Sequence, residues 1–298
     1  MALSQNQATL VGCIAPLCWG LSVSIVRILS ETVGVAPGLA LKYILAFVIL
    51  FLVFRFPNFR RMPLKYYICG FGSALACSVS FAFSLAMAQN GTQTMEVGMV
   101  NYLWPSLTIL FAVMFNKQKA RGWIILGILL AFYGILMIIS KEIVINFSQI
   151  NDHVRSNPVC YLLALISAVA WASYSNFTTA WAQGENPTTA IFALEALFFT
   201  GLWLIGDVES VNFSVKGVAV IVIAAVVMGG ACVLWNYGVQ KGKIAVLGIA
   251  SFFTPVLSSL FAFIFIGAQL TSVFWLGVAI VVLGSFICWK SIEHTKSR

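Results

Sequence analysis

Apolar residues run through this chain in long unbroken stretches separated by short polar joints. Ten such stretches stand out, at residues 8–30, 35–54, 66–88, 94–115, 121–140, 159–182, 187–206, 215–238, 244–266 and 271–290. The hydrocarbon core of a bilayer is about 30 Å thick and takes about 20 apolar residues of helix to cross, so each stretch predicts a spanning helix. The stretches are continuous, unlike the alternating segments of an outer-membrane barrel. The first is full length and lacks a basic leader or small-residue cleavage site, so it reads as a helix, not a signal peptide. Only the joint at 141–158 is long and polar, with Asn151, Asp152, His153, Arg155 and Pro158. The expected fold class is all-α integral membrane, ten helices as two inverted five-helix repeats.

The repeat is visible in the residues. A shift of 150 lays 97–115 (VGMVNYLWPSLTILFAVMF) on 247–265 (LGIASFFTPVLSSLFAFIF), matching Gly98 with Gly248, Pro105 with Pro255, Leu107 with Leu257, Leu110 with Leu260, Phe111 with Phe261, Ala112 with Ala262 and Phe115 with Phe265. It continues into the next stretch, pairing Leu126 with Leu276, Gly127 with Gly277 and Gly134 with Gly284. Shifts of 152 and 151 bring Trp19 onto Trp171, and Gln89 and Gly91 onto Gln240 and Gly242. Five spans per copy is an odd number, so the second copy enters the membrane from the opposite side. Such inverted repeats are related by a pseudo-two-fold axis in the membrane plane and expose a shared midplane site alternately to either face.

Composition and charge narrow the function. The chain has 298 residues, 61% hydrophobic and 9% charged, against about 25% charged in soluble domains. The net charge of +8 is an orientation signal here and not a nucleic-acid footprint. With a cytoplasmic amino terminus, Arg55, Arg60, Arg61, Lys65, Lys117, Lys119, Arg121, Lys241, Lys243, Lys290, Lys296 and Arg298 all fall inside, while Lys141, Arg155 and Lys216 fall outside. That asymmetry places both termini in the cytoplasm of a bacterial-type inner membrane. The seven cysteines lie in or beside apolar stretches without a CxxC pair, which indicates packing and not a metal site or disulfides.

Candidate chemistry collects on the fourth and ninth spans. A proline inside a helix lacks the amide hydrogen and crowds the carbonyl four residues back, so Pro105 and Pro255 free the carbonyls of Asn101 and Ser251. These kinks are the expected gating points, facing protein or a cavity and not lipid; a plain bend in a packed helix is the alternative. Polar and aromatic residues at similar depth supply candidate cavity positions: Trp19; Ser80, Phe81 and Ser84; Asn101, Tyr102 and Trp104; Trp171, Tyr174 and Asn176; Trp235, Asn236 and Tyr237; Ser251 and Thr254. Such a lining suits a ligand with a ring or apolar body and a few polar groups. Arg27 and Lys42 read as snorkelling cations near the outer face, and Glu96 as a carboxylate favoured by a helix dipole. Glu195, in the middle of the seventh span, is costly unless paired, protonated or hydrated, and proton coupling is one reading of it. The glycine pairs seven residues apart indicate close helix packing.

Enzyme chemistry is disfavoured, because the two histidines, His153 and His294, lie in the polar joint and the tail and no carboxylates cluster. No GxxxxGK motif is present, so neither ATP coupling nor any cofactor is implied.

The segments EVGMVNYLWPSLTILFA at 96–112, AVAWASY at 168–174, WNYG at 235–238 and SFFTPVLSS at 251–259 resemble the drug/metabolite transporter superfamily, in its ten-span group with paired EamA-type repeats, and within it the exporters of aromatic amino acids. The resemblance runs over nearly the whole chain. It implies a first EamA-like repeat at 1–140, an extracytoplasmic linker at 141–158 and a second repeat with a cytoplasmic tail at 159–298. It also implies secondary export of aromatic or similar amphipathic amino acids through a central cavity, with Tyr102, Trp104 and Trp171 on the substrate path; Asn101 and Asn236 are added from polarity. The third span departs from the pattern, carrying Cys77 and Ser78 where such exporters have a tyrosine followed by a glutamate. Export of another small metabolite or drug is the alternative, followed by a channel or a membrane enzyme. The expected partners are a small-molecule substrate and the lipid bilayer; a monomer satisfies these expectations and the oligomeric state stays open.

Overall fold

Proline, glycine and serine decide where the apolar stretches break. The structure is a computed structural model describing residues 4–116, 120–206, 214–242, 247 and 250–291. The first stretch divides into α1 (Gln5–Gly20), which contains Pro16, and α2 (Ser22–Val33), and the two are bent by 45°. Proline interrupts the helical ladder, and glycine with serine is a common site of sharp bending. α3 (Val35–Phe54) follows directly. α4 (Tyr66–Ala86) opens with one widened turn over Tyr66–Phe71.

The fourth stretch is two helices, α5 (Gly91–Asn101), capped by the Asn90 side chain, and α6 (Trp104–Phe115). Pro105 lies in the first turn of α6, where its missing N–H has no helical partner to lose. The expected kink is thus a break. Across it the Leu103 N–H donates to the Val100 carbonyl at 3.2 Å and Leu107 to Leu103 at 3.0 Å. The second half repeats this bond for bond, with Phe253 donating to Ala250 at 3.2 Å and Leu257 to Phe253 at 2.9 Å. There α12 (Thr254–Ile266) begins with Pro255 in its first turn.

The remaining helices are α7 (Ile124–Ser140), α8 (Phe147–Ser156), α9 (Pro158–Trp181), α10 (Thr188–Ile205), α11 (Val215–Lys241) and α13 (Ser272–Ser291). Among the described residues seven helices, taking α5 with α6 as one, are long and apolar enough to cross a membrane, and the bent α1–α2 pair makes eight. The fifth and ninth predicted spans are the shorter apolar helices α7 and α12; part of the ninth, including Gly248, lies outside the described residues. The chain is a multi-pass helical membrane protein. α8, on the long polar joint, presents apolar side chains such as Phe147 at one end and Asp152 and Arg155 further along.

Packing obeys the exchange of the two halves. α1 lies along α11 and α4 along α9; α3 pairs with α10, and α7 with α13; α6 touches α9 as α12 touches α1. Swapping each span for the one five places on turns this set of contacts into itself, which is the signature of a two-fold relation between like parts.

Candidate functional site

The site grows from the breaks in the helices. Because α1 bends near Gly20 and span four breaks at Tyr102 and Leu103, bulky residues next to these points turn inward and surround a cavity of about 170 Å³. An apolar cavity of about 150 Å³ already accepts benzene, so one aromatic ring fits.

Four indoles form one wall. Trp19, on α1, lies 5.5 Å from Trp171 on α9 at an interplanar angle of 82°, 6.4 Å from Trp104 at 88° and 5.1 Å from Trp235 on α11. Trp104 and Trp171 are 6.1 Å apart, and Trp171 touches Tyr174 at 5.4 Å. Edge-to-face geometry at these distances is favourable for quadrupolar rings. It also leaves ring faces and edges for a further ring.

Polar groups form the other wall. Lys42 on α3 and Glu195 on α10 both line the cavity and are 4% and 2% exposed. Here the snorkelling expected of Lys42 is corrected: its Nζ sits 3.7 Å from the centre of the Tyr43 ring, inside the protein. Tyr43 in turn stacks on Phe199, 5.4 Å away and near parallel. The Ser78 hydroxyl, on α4, donates to Oε1 of Glu195, which ties the carboxylate of α10 to the cavity face of α4. Oε2 of Glu195, Oδ1 of Asn101 and the Tyr102 hydroxyl are buried without a hydrogen-bond partner. Buried polar atoms are rarely left unpaired; the Tyr102 hydroxyl has those of Ser258 and Ser22 beside it, which leaves Oε2 of Glu195 and Oδ1 of Asn101 as the acceptors free to meet a ligand.

Of the residues expected at the cavity, Trp19, Phe81, Asn101, Tyr102, Trp104, Trp171, Tyr174, Trp235, Asn236 and Thr254 line it. Asn236 is also tied down, donating to the Thr188 hydroxyl at 2.8 Å and to Oδ1 of Asn186 at 3.2 Å. Ser80, Ser84, Tyr237 and Ser251 do not line it. The Ser84 hydroxyl donates to the Phe81 carbonyl and that of Ser251 to the Leu247 carbonyl, since a hydroxyl on a helix finds a partner one turn back. Tyr237 lies under Lys241, whose Nζ is 5.2 Å from its ring centre. Asn176 binds Asn116 and the Thr108 carbonyl away from the cavity. Sequence reading missed Ser22, Tyr43, Cys77, Ser78, Thr188 and Cys232 as lining residues and placed Lys42 elsewhere. An intramembrane charge that cannot reach an interface is the signal that could have found Lys42.

Two further charges are structural. The Arg27 guanidinium donates to the carbonyls of Leu85 at 3.0 Å and Ala88 at 2.5 Å, closing the end of α4, and pairs with Glu31 at 2.5 Å. Glu96, 2% exposed, accepts from the Tyr161 hydroxyl at 2.5 Å and lies 3.6 Å from both Lys141 Nζ and His153 Nδ1. It joins α5, α7, α8 and α9, a fuller role than complementing a helix dipole.

Known proteins resemble this chain in sequence and in fold. The chain is 36% identical over 295 residues to the aromatic amino acid exporter YddG of Salmonella typhimurium, covering 98% of this chain and 100% of the relative. It is 35% identical to that of Escherichia coli over 98% and 100%, and 24% identical to that of Ancylobacter novellus over 87% and 88%. A solved crystal structure superposes with a TM-score of 0.63 at 20% identity, over 96% of this chain and 99% of the other, a likeness that shows the fold alone. The pattern of the EamA-like transporter family matches residues 6–140 and 158–289, and the chain belongs to that family.

Proposed function

We propose that this transporter exports aromatic amino acids from the cytoplasm by alternating access. The observation that carries the reading is the cage of Trp19, Trp104, Trp171 and Trp235 around a ring-sized cavity. Aromatic side chains offer a ring a large contact area and specific edge and face geometry. The names of the full-length relatives, aromatic amino acid exporters, support the same substrate class.

The moving parts are the repeats at 1–140 and 159–298, joined by the linker at 141–158. Trp19 and Trp171 stand at equivalent positions of the two and touch, so rocking one repeat against the other reshapes the cage from both sides. The breaks at Pro105 and Pro255 lie next to it and serve as flexion points. The charge bias of the loops orients both termini to the cytoplasm of the inner membrane, which makes the cytoplasmic opening the loading side.

The test is efflux of labelled phenylalanine, tyrosine and tryptophan from proteoliposomes, with threonine as the non-aromatic comparison. Faster efflux of the aromatic three than from protein-free vesicles is expected. Equal rates with and without protein would sink the proposal.

A further inference from the structure

The second and seventh spans each bring one charge to the cavity. α3 begins at Val35 and α10 at Thr188, and Lys42 and Glu195 are each the eighth residue counted from those starts. Both follow an Ala-Leu pair, Ala40-Leu41 and Ala193-Leu194. The two helices pack on each other, and both residues line the one cavity. The cavity thus receives one cation from α3 and one anion from α10.

Lys42 and Glu195 feel each other's charge but make no contact ion pair. The ion pairs among the described residues are Arg27 with Glu31, Arg61 with Glu185, and Glu96 with Lys141 and His153. Lys42 has the face of the Tyr43 ring, and Glu195 has the Ser78 hydroxyl on one oxygen only. Burying an ion is expensive unless a counter-charge and hydrogen bonds replace its water. A chain that keeps two such groups at the same depth, near but apart, leaves a gap that a dipolar group can fill.

We infer that Lys42 and Glu195 form a zwitterion clamp, in which the ammonium of Lys42 holds the α-carboxylate of the transported molecule and the Glu195 carboxylate holds its α-ammonium. The inference rests on the reading of the site as an amino acid path. It adds which end of the substrate goes where: the head between α3 and α10, the side chain toward Trp19 and Trp104. Oδ1 of Asn101, buried and unpartnered, gives the ammonium a second acceptor, and the Tyr102 hydroxyl gives the carboxylate a second donor. A ligand with both charges satisfies both walls; an amine or an acid alone leaves one ion buried without a partner. The clamp therefore selects amino acids over aromatic amines and aromatic acids of the same shape.

The experiment is competition against labelled phenylalanine in proteoliposomes, using phenethylamine, which lacks the carboxylate, and phenylpropionate, which lacks the ammonium. On the wild-type protein each should compete about 30-fold more weakly than phenylalanine, as expected when one buried charge loses its partner. Lys42→Met should weaken phenylalanine and erase its advantage over phenethylamine while keeping its advantage over phenylpropionate; Glu195→Gln should do the reverse. Equal competition by the two analogues and phenylalanine on the wild type would overturn the clamp. So would an unchanged analogue ranking in variants that still carry phenylalanine. The wild-type ranking decides alone if a variant fails to insert. Failure of the wild type to carry any aromatic amino acid would be a different result, removing the export reading and the clamp with it.

Discussion

Gly134 and Gly277, on helices from opposite halves of the chain, face each other so closely that a methyl group on either would stand within 2.8 Å of the other's carbonyl oxygen. Gly127 and Gly284 repeat the relation one turn pair away, with Gly284 at 2.5 Å by the same measure. Because Gly127 is the counterpart of Gly277 and Gly134 of Gly284, the crossing of α7 and α13 is self-complementary, as a two-fold contact must be.

Filling this crossing should loosen it. Gly284→Val forces a side chain against the Gly127 carbonyl and the Ala131 backbone, and overpacking of this kind costs about 1–3 kcal/mol. A fall in the melting temperature of the detergent-solubilised protein is expected. Gly230→Ala on α11, where a methyl group meets nothing within 4 Å, should be neutral or slightly stabilising.

Removing one ring from the indole cage should weaken substrate binding without preventing insertion. Trp104→Ala is expected to raise the apparent KM for phenylalanine about 30-fold, the scale of a buried aromatic anchor. Tyr237→Phe, outside the cavity, should leave it unchanged. Efflux assays on both variants at matched protein density make the comparison, and equal KM values would move the site elsewhere.

The Glu96 cluster should matter for stability more than the exposed pair of Arg61 and Glu185, which are 3.2 Å apart. Glu96→Ala strips the Tyr161 hydroxyl, Lys141 and His153 of their shared acceptor; the cations can turn to water, and the buried hydroxyl left unpaired costs about 1–3 kcal/mol. Arg61, whose side chain is 64% exposed, should contribute less than about 1 kcal/mol. Melting temperatures of Glu96→Ala and Arg61→Ala should differ in that order.

Orientation is open to labelling. Single cysteines replacing Arg60, between α3 and α4, and Asp152, on α8, should lie on opposite sides of the membrane. An impermeant thiol reagent added outside cells should modify the cysteine at 152 and spare the one at 60. Modification of both from outside would contradict the proposed topology.

Much of the architecture is written locally. Runs of about 20 apolar residues have few alternatives to crossing a bilayer, and an aligned proline and glycine register exposes the duplication. An irregularity near Pro105 was legible, as a kink, because a proline removes a helical donor and crowds the carbonyl four residues back; that it is a full break, whereas Pro16 sits inside a continuing helix, belongs to the structure. What the sequence alone determined is therefore the class of fold, the family, and most of the aromatic wall. The polar wall was decided by the tertiary structure. Lys42 looks like an interfacial cation in its own helix, and only the packing of α3 on α10 turns it inward to share a cavity with Glu195. Ser84 and Ser251 look like ligand-facing hydroxyls, yet their own backbones satisfy them. Spacing along one helix specifies which residues share a face, but which face meets a neighbour depends on contacts between segments distant in sequence, and there the charges of this site acquire their partners.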